Sequence, residues 1–237
     1  MRPIRVFAID IDGTLTENGG GVICLPAIAN LRYLEGLGYN VIYVTGRSSI
    51  EAYILAIFAG TTKVAIGENG GVITVAPQEH ILLASKEKCL KGYEALKKNI
   101  DGVQMKPVFN RLTEIVLFRT FDIKQGRKIL KENNLDVYLN DSKYAFHINE
   151  KGINKATGLK EALKLLKANP EQTVAIGDSE TDIPMFDICG YSVALNHAEE
   201  HVKTRAKHIA SGKEGDGLLD ALDFITYNYL GAEEYRE

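Results

Sequence analysis

Short, almost unbroken apolar runs alternate along this chain with longer stretches whose apolar residues recur every three or four positions. The short runs are Ile4-Arg5-Val6-Phe7-Ala8-Ile9, Val41-Ile42-Tyr43-Val44, Val64-Ala65-Ile66 and Thr173-Val174-Ala175-Ile176. They are rich in β-branched residues and apolar on both faces, which predicts central strands of a parallel sheet covered by helices. The longer stretches read as those helices. Ile28, Leu31, Leu34 and Leu37 follow one face, with Pro26 in the first turn and Gly38 at the C-terminal cap, and Leu159, Leu163 and Leu166 follow another that Lys155 opens. Pro184 and Gly190 bracket a short helix. Tyr191–Leu195 and Lys207–Ala210 add two more strands, each followed by a helical segment. The pattern predicts an α/β fold with a Rossmann-like parallel-sheet core.

The alternation is interrupted once. Asn69-Gly70 between apolar runs predicts a hairpin, and from about Pro77 the texture changes. A Lys-rich helix over Lys86–Lys98 is followed by a strand at Glu114–Phe118, a helix from Ile123 to Asn133, and strands near Val137–Leu139 and Ala145–Ile148. That is an α+β unit of its own. The expected organisation is a core of residues 1–79 and 153–237 with an inserted domain over 80–152.

Composition narrows the function. The chain has 237 residues, 45% hydrophobic and 25% charged, which suits a well-buried core in two unequal domains. A net charge of −3 carries no polyanion-binding signature, so no nucleic-acid partner is expected. Cys24, Cys89 and Cys189 form neither a C-x-x-C pair nor a disulfide framework, which points to a reducing cytoplasm. No run approaches the ~18 apolar residues of a membrane span, and the amino terminus enters a strand almost at once instead of a signal peptide. A soluble cytoplasmic protein with no membrane partner is expected.

The candidate chemistry gathers where strands end. Asp10 and Asp12 follow the first strand, at the carboxyl edge where open α/β sheets bind ligands. At spacing i, i+2 on extended chain they point the same way and repel unless a cation lies between them. Gly13 permits a sharp turn, and Thr14 offers a hydroxyl and an amide. The second strand delivers Thr45-Gly46-Arg47 to the same edge, ahead of a helix that Ser48 or Ser49 can cap; hydroxyl, free amides and helix dipole there make an anion site. Lys155 stands at a helix start, where the dipole disfavours a cation, so a negative partner is expected. The fourth strand ends in Gly177-Asp178-Ser179-Glu180-Thr181-Asp182, although Asp182 can equally cap the short helix after it. The glycines of Thr16–Gly21 read as a flexible loop, since no Gly-Lys-Ser/Thr follows to make a P-loop. His147 lies in an alternating strand and is read as half-buried and structural, and no histidine spacing suggests zinc.

Asp-x-Asp-Gly-Thr, Thr-Gly-Arg, a lysine and Gly-Asp-x-x-x-Asp, in that order over essentially the whole chain, resemble the haloacid dehalogenase superfamily of phosphohydrolases. Only about 30 residues separate Asp12 from Thr45, room for one crossover helix. The insertion therefore falls between Thr45 and Lys155, where that superfamily carries its C2-type cap, and the chain looks like the sucrose-phosphate-phosphatase and Cof-like branch. Arg111-Leu112-Thr113-Glu114 leading into a cap strand, and Asp216-Gly217 ahead of a terminal helix, look like the archaeal-type phosphoglycolate phosphatase family. Thr181 and Asn196-His197-Ala198 depart from the branch's usual residues, with Asn196 or His197 as substitutes on the phosphate side.

The resemblance implies Mg2+-dependent hydrolysis of a small phosphate monoester, 2-phosphoglycolate, through an aspartyl-phosphate. Asp10 is the implied nucleophile and Asp12 the acid and base. Thr45, Gly46, Arg47 and Lys155 hold the phosphate, and Asp10, Asp12, Asp178 and Asp182 make the metal site. Charge supports a cation independently, because four aspartates with Lys155 leave about three negative charges uncompensated. All-oxygen ligands favour Mg2+. Sugar-phosphate hydrolysis or a phosphomutase reaction is the nearest alternative, and a silent binding module of the same fold the more distant one. The partner is expected to be a small phosphorylated metabolite, and the assembly a monomer or homodimer. Loops around Arg111 and Asn140–Lys143 are candidates to face the substrate, with Arg111 able to grip a carboxylate.

Overall fold

In the computed structural model, which describes residues 3–17, 21–142 and 144–231, the first apolar run is buried from both sides. Phe7 and Ile9 enter one core cluster, while Val6 and Ala8 enter another across the sheet. Strand alternation forces that division, and each side needs its own helical layer.

The elements in order are β1 (Val6–Ile9), β2 (Thr16–Glu17), β3 (Val22–Ile23), α1 (Leu25–Gly36), β4 (Asn40–Val44), α2 (Ser49–Ala59), β5 (Ala65–Gly67), β6 (Val72–Ala76) and β7 (Glu79–Leu82). Then come α3 (Lys86–Asn99), β8 (Ile115–Leu117), α4 (Ile123–Glu132), β9 (Val137–Asp141) and β10 (Phe146–Glu150). The chain ends in α5 (Lys155–Leu165), β11 (Thr173–Gly177), α6 (Ile183–Ile188), β12 (Tyr191–Ala194), α7 (Glu200–Lys203), β13 (His208–Ile209) and α8 (Glu214–Ile225).

The eight-stranded sheet has the order β13-β12-β11-β1-β4-β5-β6-β7. Its pairs are parallel from β13 to β5 and antiparallel through β6 and β7. Residues of α1, α2 and α8 fill one cluster, and residues of α5 and α6 the other. The order reverses about β1, which pairs with β4 on one side and β11 on the other; a crevice opens at such a switch point. Residues Lys86–Glu150 build a three-stranded antiparallel sheet, β8-β10-β9, against α3 and α4, with a separate apolar core that includes Leu96, Leu130 and Ile148.

Three local expectations change. The glycine-rich stretch after Thr16 is flanked by a short antiparallel pair, Thr16↔Ile23 and Glu17↔Val22; Asn18, Gly19 and Gly20 lie outside the described residues. Glu79–Leu82 pairs with β6 at the edge of the large sheet, beyond the texture change at Pro77. Its Glu-His-Ile-Leu sequence lacks the alternation that marks a half-buried strand. Asp216-Gly217 lies inside α8 rather than ahead of it.

The β5–β6 hairpin turns through Glu68, Asn69 and Gly70, all at positive φ. A Cβ on Gly70, at φ 97°, would stand 1.9 Å from the Asn154 carbonyl, so only glycine lets the hairpin meet the start of α5. Gly70→Ala is expected to cost at least about 2 kcal/mol in urea unfolding, through both backbone strain and displacement of α5. Gly36→Ala is the control: a Cβ on this exposed last residue of α1 meets nothing within 4 Å. That change is expected to be neutral or to gain up to about 1 kcal/mol.

Candidate active site

Lys155 carries the site's charge. Asn154 caps α5 by accepting from the amides of Ala156 and Thr157, which leaves the following lysine free to turn inward. Its Nζ donates to Asp10 Oδ1 and to Asp182 Oδ1, both at 2.7 Å, with Lys155 2% exposed. The negative partner expected at this helix start is thus a pair. Burial works against the ammonium, but the two aspartates outweigh it and hold its pKa above the ordinary value.

Asp10 caps the end of β1, its amide bonded to the Ile176 carbonyl. Burial first, then Asp182 and Asp178, push its carboxyl well above the usual range against the pull of Lys155. Asp182 does not cap α6 through its side chain. Its Oδ2 instead turns back to accept from the amides of Asp178 (3.1 Å) and Ser179 (2.9 Å) and from Ser179 Oγ (2.9 Å). With Oδ1 on Lys155, both Asp182 oxygens are engaged.

Asp178 completes the group. Thr14 Oγ1 donates to its Oδ1 at 3.2 Å, and His197 Nε2 stands 3.2 Å from its Oδ2. The Glu214 amide donates to His197 Nδ1 at 3.3 Å, so in the neutral ring the proton is on Nε2 and points at Asp178. Asn196 turns away to the Ser211 carbonyl. Gly13, at φ 79°, passes so close that a Cβ there would stand 2.7 Å from Asp178 Oδ2.

Asp12 is not part of this group. The chain leaves extended geometry after Ile9, and the amides of Thr14, Leu15 and Thr16 all bond to the Ile11 carbonyl, so strand alternation stops before it reaches Asp12. Its half-exposed carboxylate accepts from Arg47 Nε (2.8 and 3.0 Å) and Nη2 (2.7 Å), and Arg47 also meets Glu51 at 3.3 Å. The Asp12 carboxylate holds the guanidinium above its ordinary pKa. Ser48 and Glu51 form the capping box of α2. In the Thr45–Arg47 loop the Arg47 amide donates to Thr45 Oγ1 at 3.0 Å.

Asp10, Asp178 and Asp182 each offer a carboxylate oxygen within 4.8 Å of one another. With Asp12 paired to Arg47, three carboxylates face one ammonium. The two uncompensated negative charges and the all-oxygen donor set fit a divalent cation, and Asp10 keeps one oxygen that no donor among the described residues reaches. A cleft of about 400 Å³ leads from this edge, lined by Asn69, Tyr138, Asn140, Lys155 and Thr181 among others. Asn140 thus faces the cleft; Lys143 lies outside the described residues. A larger concavity of about 840 Å³, on the outer face of α1, is remote from these groups.

Residues 7–106 and 91–222 match the haloacid dehalogenase-like hydrolase family. The chain belongs to that family. It is a phosphoric monoester hydrolase, and its relatives agree. A phosphoglycolate phosphatase of Nitrosopumilus maritimus is 53% identical, over 92% of this chain and 95% of the relative. One of Methanosarcina acetivorans is 34% identical, over 94% and 97%. Among solved structures, a Thermoplasma acidophilum protein shares the fold at TM-score 0.84 with 23% identity, covering 95% of this chain and 98% of that one.

Sequence reading missed a second buried polar group, between the Thr45–Arg47 loop of this hydrolase and the inserted unit. Glu68 Oε1 accepts from the Leu112 amide, and its Oε2 accepts from Thr113 N, Thr113 Oγ1 and Glu114 N. Burial, with the Glu114 charge, pushes Glu68 up while those donors pull it back. Glu114 faces His147 Nδ1 at 3.1 Å, Asn149 Nδ2 at 3.0 Å and Arg111 Nε at 3.5 Å. His147 is therefore fully buried rather than half-buried. Arg111 donates through Nη1 to the Gly46 carbonyl and faces Glu114 Oε1 with Nε at 3.5 Å, so the guanidinium meets both the core loop and its own segment.

Burial acts to raise Glu114, but His147 and Arg111 prevail and hold its pKa below the ordinary 4.5. A depressed carboxyl contributes stability that is whole above 4.5 and is lost as pH falls through the lowered value. Unfolding midpoints measured from neutral pH down to about pH 3 should fall on the acid side. Glu114→Gln should be less stable at neutral pH and have a shallower acid limb; an identical limb would contradict the assignment.

Proposed function

We propose that this hydrolase removes phosphate from 2-phosphoglycolate through an aspartyl-phosphate on Asp10, with Mg2+ as cofactor. The observation that carries the reading is the buried Asp10 carboxylate at the mouth of β1, one oxygen fixed by Lys155 at 2.7 Å and the other reached by no donor among the described residues. A nucleophile needs that combination of fixed orientation and a free lone pair.

Asp10 attacks phosphorus in line with the leaving oxygen, and the bond to that oxygen breaks as Asp12 protonates it. Asp12 reaches it by a side-chain rotation that gives up Arg47, and it takes up from solvent the proton that it then delivers. Asp12 then takes a proton from water, which attacks phosphorus and frees Asp10. The Thr45 hydroxyl, the Gly46 amide and Lys155 hold charge on the equatorial oxygens, joined by Arg47 once Asp12 has turned. Asp10 and Asp178 would hold Mg2+, with Asp182 orienting Lys155 and His197 orienting Asp178. The ion would supply the positive charge that offsets the carboxylates against an arriving phosphate. Residues 86–150, the separate unit within the inserted stretch expected over 80–152, act as the cap over the leaving group, and the named substrate follows the phosphoglycolate phosphatases of the relatives. The site of action is the cytoplasm, with a monomer or homodimer acting on a small metabolite. Three free, buried cysteines suit that setting, and no helix among the described residues is long and apolar enough to cross a membrane.

Asp10→Asn is expected to lower kcat by at least ~10³, about 4 kcal/mol in barrier, with folding intact. Exhaustive chelation should abolish turnover and Mg2+ restore it, whereas Ca2+, with its looser shell, should bind and inhibit. Under saturating Mg2+, 2-phosphoglycolate should exceed hexose phosphates in kcat/KM by at least ~10-fold. A hexose phosphate ahead by that margin would overturn the substrate; phosphate release without any acceptor sugar is expected, and phosphoryl transfer to an acceptor sugar with no free phosphate released would make the chain a phosphomutase.

A further inference from the structure

Every carbonyl of the phosphate loop is tied to one hairpin turn or to the segment that turn holds. The Asn69 amide donates to the Thr45 carbonyl at 3.1 Å, and the Glu68 amide to the Arg47 carbonyl at 2.7 Å. The Gly46 carbonyl between them accepts from Arg111 Nη1 at 3.0 Å. The other end of that same peptide unit, the Arg47 N–H, is spent on Thr45 Oγ1. Thr45 N donates to the Ile66 carbonyl. Among the described residues, the loop's remaining donors are the Gly46 N–H and the Thr45 hydroxyl proton, the two groups an incoming phosphate would use.

Arg111 does not come from the core sheet. It lies in the inserted unit, and what fixes its segment is Glu68, fully buried, which gathers three consecutive amides and a hydroxyl at 2.7 to 3.1 Å. Four donors on one carboxylate with no solvent exposure make a strong joint, because losing a partner there leaves a buried polar group unsatisfied. The surfaces meet closely as well: a Cβ on Gly71 would stand 2.3 Å from Thr113 Oγ1. Glu114 in the same segment turns the guanidinium by facing its Nε, and Lys86 Nζ donates to the Arg111 carbonyl.

We infer that Glu68 and Arg111 are positioning residues through which the inserted unit completes the phosphate-binding loop. Glu68 clamps residues 112–114, the clamp places Arg111, and Arg111 fixes the Gly46–Arg47 peptide so that the Gly46 N–H and the Thr45 hydroxyl present to phosphate. If the unit swings away, the core keeps Asp10 and Lys155 but loses the third tether of its anion site. Tight phosphate binding and docking of the unit are then one event. The inference rests on the phosphatase reading, but it concerns residues outside the attack on phosphorus.

The test uses the full chain with p-nitrophenyl phosphate, which has no carboxylate for Arg111 to meet, and inorganic phosphate as product inhibitor. Glu68→Gln, which puts an amide group against backbone donors, and Arg111→Met should each lower kcat/KM and weaken phosphate inhibition by at least about 10-fold. Because both break one link, the double variant should fall no more than about 3-fold below the worse single variant. Arg111→Lys should recover part of the phosphate affinity. Thr113→Val removes one of the four donors and, as a milder change should Glu68→Gln fail to fold, is expected to lose about 3-fold in the same direction. Folded variants with unchanged phosphate inhibition, or losses that multiply in the double variant, would overturn the coupling. Absence of turnover and of phosphate binding in the wild-type protein would instead overturn the phosphatase reading.

Discussion

One buried ammonium between two buried carboxylates is the constraint on which the rest of the site depends. Lys155 can stay charged at 2% exposure only because Asp10 and Asp182 both lie 2.7 Å from it, and each aspartate needs it in turn. The three come from β1, the start of α5 and the turn after β11. Adjacent parallel strands joined by right-handed crossovers carry those points to one edge. Around that edge the backbone conforms to the charges. Gly13 passes within a Cβ's reach of Asp178, the Asp178 and Ser179 amides hold Asp182, and Gly70 lets the hairpin meet α5 where Lys155 begins. The excess of negative charge that remains underlies the proposed Mg2+ site.

A second buried joint, built around Glu68 and Glu114, lies between the Thr45–Arg47 loop and the inserted unit. It contributes no reacting group to the proposed chemistry. In the proposed reading its importance is mechanical, since a rigid contact between the inserted unit and the Thr45–Arg47 loop makes loop geometry depend on where that unit is.

Much of this was legible in the sequence because it rests on local rules. Apolar runs mark β1, β4 and β11, Pro26 and Gly38 frame α1, and a cation at a helix start calls for a negative partner, which Lys155 has. Asp12 was misplaced because alternation holds only in extended chain, and the chain turns after Ile9. Glu68 and Glu114 left no signal. An acid in a Gly-Glu-Asn-Gly turn reads as a solvated loop residue, and its partner Thr113 is 45 residues away. His197 was read, with Asn196, as a substitute contact on the phosphate side; that its ring orients Asp178 follows from the Glu214 amide, which no spacing reveals.

The central claim is that Asp10 takes up the phosphoryl group. The most direct measurement is an acid quench during turnover of an aryl phosphate, borohydride reduction of any acyl phosphate, and mass spectrometry of the resulting peptides. The account expects reduction of a single aspartate, Asp10, with none in enzyme quenched before substrate is added. Steady turnover with the label on another residue, or with no covalent phosphate when release is slowed enough for the intermediate to accumulate, would contradict it.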